Sequence, residues 1–306
     1  MGSPFTITMY CSDSAQAALS ARAAFEKAET LNEILSDYID SSEINRLSQT
    51  AGEGRYVPVS APLFTILQCA LEAGRLSGGA YDISVGPLMK LWRDARKTKI
   101  FPDDNSLQKA RGLTDYRFIH LDRVSRTVML EKKGMKLDVG GLGKGFVAAA
   151  AIDLLHQDGI DCAMVNAGGK IVTAAPPPGK PGWLIGINAP EEKEAILPQL
   201  LLLKQKSVAS SGDIYRYVEI NGKRYSHIVD PATGIGLTRR KNVTAIADDG
   251  CTADWLSTAC SVLSTRKAMK LIRKIPGAAL LITEKRRHRI RMRSSAHFKN
   301  YLQKPL

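Results

Sequence analysis

The sequence predicts an α+β protein whose largely antiparallel, partly mixed sheets are covered by helices. Two hairpin patterns carry that prediction. In YRYVEINGKRYSHIVD, residues 215–230, two alternating runs flank Asn221-Gly222, the pair favoured in a two-residue type I′ turn. A second hairpin pattern spans residues 278–292, near the end of the chain. Such hairpins outnumber strand–helix–strand alternations, which argues against an all-parallel sheet.

In chain order, residues 6–10 alternate like a strand. Residues 15–38 follow with apolar side chains at Ala24, Ala28, Leu31 and Leu35, the spacing of a helix face. A second helix is predicted over 61–76, with Pro62 in its first turn and Gly78-Gly79 at its end. The first turn does not use the donor that proline lacks, and glycine takes the left-handed closing conformation. Residues 126–139 read as two strands joined near Lys133-Gly134, and 142–156 as an alanine-rich helix. A short apolar strand, 162–165, runs into Asn166-Ala167-Gly168-Gly169. Strand 241–247 and helix 252–263 precede the closing hairpin.

With 306 residues, 44% of them hydrophobic, the chain can bury the core of one unit spanning 1–306 or of two intimately packed subdomains. The most apolar run, 195–203, is broken by Pro198 and Gln199 and falls short of the roughly 20 residues of a bilayer span. The first five residues lack the basic start and apolar stretch of a signal peptide. Five cysteines without a CxxC pair argue against a disulfide framework or a structural zinc site. The net charge of +13 is concentrated at one end: thirteen Lys and Arg residues and a single acid, Glu284, lie in 266–306. Such a segment can meet an anionic surface. It lacks the interleaved aromatics that stack on bases, so no nucleic-acid partner is expected.

Four segments concentrate polar chemistry. DVGGLGKGF, residues 138–146, leaves a strand, bends through Gly140, Gly141, Gly143 and Gly145, and enters a helix. Such a turn presents N–H groups at a helix N-terminus, where anions bind, and Lys144 adds a positive charge. It is not a Walker A loop, which needs glycine in place of Asp138 and a hydroxyl residue in place of Gly145. NAGGKI, 166–171, has two glycines after a strand, which permit close approach of a ligand or simply form a turn. YSHIVDPATG, 225–234, gathers Ser226, His227, Asp230 and Thr233 where the hairpin ends. A lone histidine among apolar neighbours is more often structural than catalytic. ADWLSTA, 253–259, places Asp254, Ser257 and Thr258 on one helix face. One carboxylate and two hydroxyls make a hard oxygen set suited to Mg²⁺. A capping acid with solvent-facing hydroxyls gives the same pattern.

Together, in order and spacing, these segments resemble the FAD:protein FMN transferase (ApbE) family. MGSPF (1–5), LSDYIDSSEINRLS (35–48), GGAYDISVGPLMKLW (78–92) and SSAHFKNYL (294–302) are similar to further family segments, so the resemblance runs from Met1 to about Leu302. It implies a T-fold-like architecture and FAD contacts at Met1, Tyr38, Ala80, Tyr81, Asp82, Asp138, Lys144 and Ile228. It implies Mg²⁺ ligands at Gly141, through its carbonyl, and at Asp254, Ser257 and Thr258, with His227 as base. Tyr38 and Tyr81 are expected to cover the isoalloxazine, since aromatic faces stack on a flat ring.

The reaction the resemblance implies is Mg²⁺-dependent transfer of FMN from FAD onto a Ser or Thr hydroxyl of an acceptor flavoprotein, such as a subunit of a membrane redox complex. AMP is released, and the expected place is the periplasmic side of a bacterial envelope. Two alternatives stand beside it: an FAD pyrophosphatase giving FMN and AMP, and a flavin-binding protein without turnover. Three positions depart from the family pattern. Lys170 stands where an acid is usual, Ala149 where many members have Asp, and Ile214 in place of an aromatic. These departures are expected to affect the nucleotide half of the site rather than the metal set.

Overall fold

The computed structural model describes residues 3–188, 196–212, 216–286 and 289–303. Met1 and Ile214 therefore lie outside the described residues.

Local chemistry sets most element ends in the first half. Strand β1 (Phe5–Met9) leads to helix α1 (Ser14–Leu35), whose first N–H groups are accepted by the Asp13 side chain. The helix stops at Leu35 because Ser36 turns extended, so Tyr38, expected within the helix, lies in the loop after it. Helix α2 (Glu43–Gln49) starts at a Ser42 cap and precedes the short strand β2 (Val57–Pro58). Helix α3 (Ala61–Ser77) begins at Ser60 with Pro62 in its first turn and ends at Gly78 with φ 63°, as expected. Helices α4 (Gly86–Thr98) and α5 (Asp104–Gly112) were not anticipated.

Strands β3 (Ile119–Asp122) and β4 (Thr127–Leu130) pair antiparallel, with β2 on the other side of β4. The second strand expected within 126–139 does not form. Instead Lys136 makes an isolated parallel bridge with Val85. The Gly86 N–H donates to the Lys136 carbonyl at 3.1 Å, and the Asp138 N–H to the Ile83 carbonyl at 2.8 Å. Long-range pairing thus replaced the local hairpin, and it lays segment 80–86 against the start of the glycine turn.

The second half contains helix α6 (Gly143–Gln157) and strands β5 (Ala163–Ala167), β6 (Lys170–Thr173), β7 (Trp183–Asn188), β8 (Ile196–Leu203) and β9 (Ser207–Ser211). Strands β10 (Tyr217–Ile220) and β11 (Lys223–Ser226) form the expected hairpin, with Asn221 at φ 50° and Gly222 at φ 72°, as a type I′ turn requires. Strand β12 (Lys241–Ala247), helix α7 (Gly250–Val262), helix α8 (Thr265–Ile272) and the hairpin β13 (Ala279–Arg286) and β14 (Arg289–Ser294) complete the chain before a 3₁₀ segment, Ala296–Tyr301.

Seven strands form one antiparallel sheet in the order β1-β5-β6-β9-β12-β13-β14. Every residue of the central β12 is buried, since the sheet is covered on both faces. Val243, Ala245 and Ala247 join the main core on the helical face, while Ile246 packs with Trp183, Leu201 and Phe298 under the β7–β8 ribbon. This alternation is the period-two signature of a strand. A third apolar cluster joins α4, α5 and the β10–β11 hairpin: Trp92 stacks near Tyr225 at 5.2 Å and donates its Nε1–H to the Gly234 carbonyl at 2.8 Å. The observed architecture is the predicted α+β arrangement of antiparallel sheets and covering helices. Among the described residues no helix is long and apolar enough to cross a membrane, and all five cysteines are unbonded.

Candidate functional site

The site is organised by a crossing of α6 and α7. A methyl on Gly145 would lie 2.0 Å from the Gly250 carbonyl oxygen, and one on Gly250 would lie 2.3 Å from that of Gly145. Only glycine on both helices permits so close an approach. The crossing carries Asp254 to the N-terminus of α6, where its Oδ2 accepts the Gly145 N–H at 3.1 Å. The α6 cap residue, Leu142, supplies no side-chain acceptor of its own. Asp249, not Asp254, caps α7. Asp254 and Ser257 are fully buried, which removes the reading of a capping acid with solvent-facing hydroxyls.

Gly141 sits directly over this floor. A Cβ there would meet the Tyr81 ring at 2.9 Å and the Thr258 side chain at 3.1 Å. The Gly141 carbonyl is 3.4 Å from Thr258 Oγ1, and Ser257 Oγ donates to the Asp254 carbonyl at 2.8 Å. The four residues expected to hold metal are thereby brought together. Tyr81 is buried, and its hydroxyl has no partner among the described residues. Its ring packs against Gly141 and lines the cavity above, with only 3% of its surface exposed. The Asp82 carboxylate is committed to the Ser84 N–H and hydroxyl and to the Tyr116 N–H, at 2.6–2.9 Å. Ala80 is buried beside them.

Above the floor opens a cavity of about 440 Å³, lined by the glycine turn, Lys144, the β5–β6 turn, the end of β9, His227, Ile228 and the loop carrying Asp37 and Tyr38. Its volume falls in the range of cofactor sites. The rim is held by Arg93 of α4, a residue the sequence did not single out. Its guanidinium pairs with Asp37, donates to Asp138 Oδ2 at 2.8 Å and lies 4.2 Å from the centre of the Tyr38 ring. Burial, reinforced by the nearby Asp138 charge, pushes Asp37 up to about 6 despite Arg93. Tyr38 remains 69% exposed. The other Asp138 oxygen accepts the Gly140 N–H at 2.8 Å, and Lys144 Nζ donates to the Gly140 carbonyl at 3.1 Å.

His227 follows β11. Its Nδ1 lies 3.0 Å from the Arg216 carbonyl, which can only accept, so Nδ1 carries the proton and Nε2 is the ring's acceptor. Loss of water pushes its pKa down to about 4, with Arg216, Lys144 and Arg96 adding repulsion. The ring is therefore neutral at pH 7 and a weaker base than an ordinary histidine. Ile228 is buried next to it, its N–H accepted by Ser226 Oγ.

Lys170 falls inside the proposed metal set, not at the nucleotide half where the departure was expected to act. Its Nζ donates to the Ser210 carbonyl at 2.5 Å and stands 3.1 Å from Asp254 Oδ1. Burial pushes the lysine below its usual range, against the opposing pull of Asp254. Ala149 packs at the edge of the α6 cluster, away from the cavity lining.

Comparison with known proteins identifies the family. The model of the ApbE family matches residues 1–282. A Klebsiella pneumoniae protein named FAD:protein FMN transferase is 31% identical over 90% of this chain and 84% of its own. A Treponema pallidum protein of the same name is 33% identical over 86% of this chain and 78% of its own. The solved flavin transferase ApbE from Vibrio cholerae superposes with a TM-score of 0.88 at 26% identity, covering 98% of this chain and 96% of that one. An α+β fold whose glycine turn meets a buried carboxylate at the floor of a cofactor-sized cavity defines the class. The chain belongs to the ApbE family.

Proposed function

We propose that this protein is an FAD:protein FMN transferase, moving FMN from FAD onto a Ser or Thr hydroxyl of an acceptor protein and releasing AMP. The observation that carries the reading is the α6–α7 crossing: it sets the glycine turn, Lys144 and Thr258 in the lining of one cavity, with Asp254 and Ser257 buried behind them.

The donor chemistry fits Mg²⁺. Asp254 Oδ1 is a buried carboxylate oxygen that faces the Lys170 ammonium at 3.1 Å. Gly141 O and the Thr258 hydroxyl, 3.4 Å apart, are further hard donors, the hydroxyl one helical turn from Asp254. A site with one carboxylate suits Mg²⁺, which commonly completes its shell with substrate phosphates and water. Bound there, Mg²⁺ would offset the charge that builds on the phosphoryl oxygens.

The chain's own residues do the rest. The Gly140, Gly143 and Gly145 N–H groups are taken by Asp138, Val139 and Asp254, so the Lys144 charge and the positive end of α6 hold the pyrophosphate. Arg93 fixes Tyr38 at the rim, where its ring can lie against the isoalloxazine. The acceptor oxygen attacks the FMN phosphorus, the P–O bond to AMP breaks, and His227 Nε2 takes the hydroxyl proton. Attack by water in place of the acceptor hydroxyl would give free FMN, the competing outcome. The membrane redox subunit as acceptor and the periplasmic side of the envelope as location belong to this proposal by family likeness. Incubation with FAD and Mg²⁺, with and without a Thr-containing acceptor peptide, tests it. Acceptor-bound flavin and AMP in equal amounts are expected. FMN formation indifferent to acceptor would make the protein a pyrophosphatase, and no turnover would make it a flavin-binding protein.

A further inference from the structure

Four oxygens from two elements, β9 and α7, surround the Lys170 ammonium: Ser210 O at 2.5 Å, Asp254 Oδ1 at 3.1 Å, Ser211 Oγ at 3.3 Å and Ser257 Oγ at 3.5 Å. Lys170 opens β6, where its register against Ala209 sets it beside the end of β9. The side chain is buried. A carbonyl and a carboxylate only accept hydrogen bonds, so the group they face must donate. Ser257 Oγ already donates to the Asp254 carbonyl, and Ser211 Oγ lies 2.6 Å from it. The arrangement is a cation cage of carboxylate, carbonyl and hydroxyl oxygens, filled from within by a lysine. Burying an ammonium is costly unless it is paired, and Lys144 adds a like charge nearby. Two lysines bordering one cavity are balanced when an anion lies between them.

We propose that Lys170 is a tethered cation: it supplies one of the positive charges at the pyrophosphate and competes with divalent metal for Asp254. The inference rests on the reading of Asp254 as the metal carboxylate. An ammonium 3.1 Å from the carboxylate both neutralises it and repels an incoming divalent ion. At such separations charge–charge energies change affinity by an order of magnitude or more even with protein screening. Metal at Asp254, Thr258 and Gly141 O is accordingly weak in the resting protein and gains its remaining ligands from the phosphates of FAD. A lysine also cannot dissociate, so part of the site's charge is independent of metal supply.

The test is Mn²⁺ binding to the FAD-free protein, measured by calorimetry in the native chain, Lys170→Gln and Lys170→Glu, each with and without Asp254→Asn. Both lysine variants should bind Mn²⁺ roughly tenfold or more tightly than the native chain, and Asp254→Asn should abolish the gain. Equal Mn²⁺ affinity in native and Lys170 variants, or no binding in any of them, overturns the tethered cation while leaving Asp254 in place. Tight Mn²⁺ binding that survives Asp254→Asn overturns the metal assignment itself. Thermal unfolding gives a second readout: Mn²⁺ should raise the midpoint more in Lys170→Gln than in the native chain, because a ligand bound only to the folded state stabilises it. An equal rise also overturns the inference.

Discussion

At the floor of the cavity backbone touches backbone, whereas at the rim long side chains reach across gaps. Gly145 and Gly250 meet at distances no Cβ allows, and Asp254 and Ser257 are fully enclosed. Arg93 instead spans from α4 to Asp37, Asp138 and Tyr38 through flexible bonds, beside a tyrosine that stays largely exposed. The difference teaches where precision is needed. In-line phosphoryl chemistry tolerates little displacement, so its groups stand on a rigid helix crossing. Flavin capture and release need an element that moves, and ion pairs at a partly wet rim can rearrange at modest cost.

Substitutions at the floor should have the larger effects. Asp254→Asn keeps an acceptor for the Gly145 N–H but removes the charge, and FMN transfer should fall by roughly 10³-fold or more, with flavin affinity changed much less. Native-rate turnover in Mg²⁺ would refute the role given to this carboxylate. His227→Ala should lower transfer by about 10²-fold, the weak end for a general base, because burial leaves the ring poorly basic. The sign follows from its pKa of about 4, below the ordinary 6.5. The ring stays an acceptor down to about pH 4 and loses that role only as pH falls through that value. The acid limb of kcat/KM should therefore lie near 4, and a limb near 6.5 would show that the ring is solvated in the working enzyme. The same depression means that folding stability declines as pH drops from about 6.5 towards 4, where the unfolded chain binds a proton the folded one refuses.

Packing at the floor can be tested without chemistry. Gly145→Ala should cost about 3 kcal/mol or more, since its methyl would overlap the Gly250 carbonyl, as read from the denaturant midpoint. A loss below about 0.5 kcal/mol would show that the crossing is not tight. The smallest effects belong to the rim. Tyr38→Asn should leave stability nearly unchanged and raise free FMN severalfold in the absence of acceptor, because excluding water suppresses hydrolysis. Unchanged FMN release would mean that the exposed ring covers nothing.

The two regions also differ in how far the sequence reveals them. The glycine turn and ADWLSTA are contiguous segments, each open to a purely structural reading on its own, and α6 and α7 form close to where the sequence places them. The β10–β11 hairpin was equally legible because Asn221 and Gly222 specify their own turn. Arg93 was not legible: its partners lie 56 and 45 residues away, and nothing around it in α4 marks it. The strand expected after Lys133-Gly134 failed for a related reason, since residues 136–138 found partners at 83–86 in preference to their own neighbours. How little of Tyr81 is exposed was not legible either, because composition does not report burial.

By itself, then, the sequence determined the elements that close on themselves, the capped helices and the type I′ hairpin, because their signals are local and lie within a few residues. It also determined the oxygen set on α7, because a 3.6-residue period places Asp254, Ser257 and Thr258 on one face. Only the tertiary structure decided what those oxygens meet. The approach of Gly145 to Gly250, the ion pairs of Arg93 and the lodging of Lys170 against Asp254 all join positions that are far apart in sequence. Their energies come from burial and from charges in contact, and both exist only once the chain has folded.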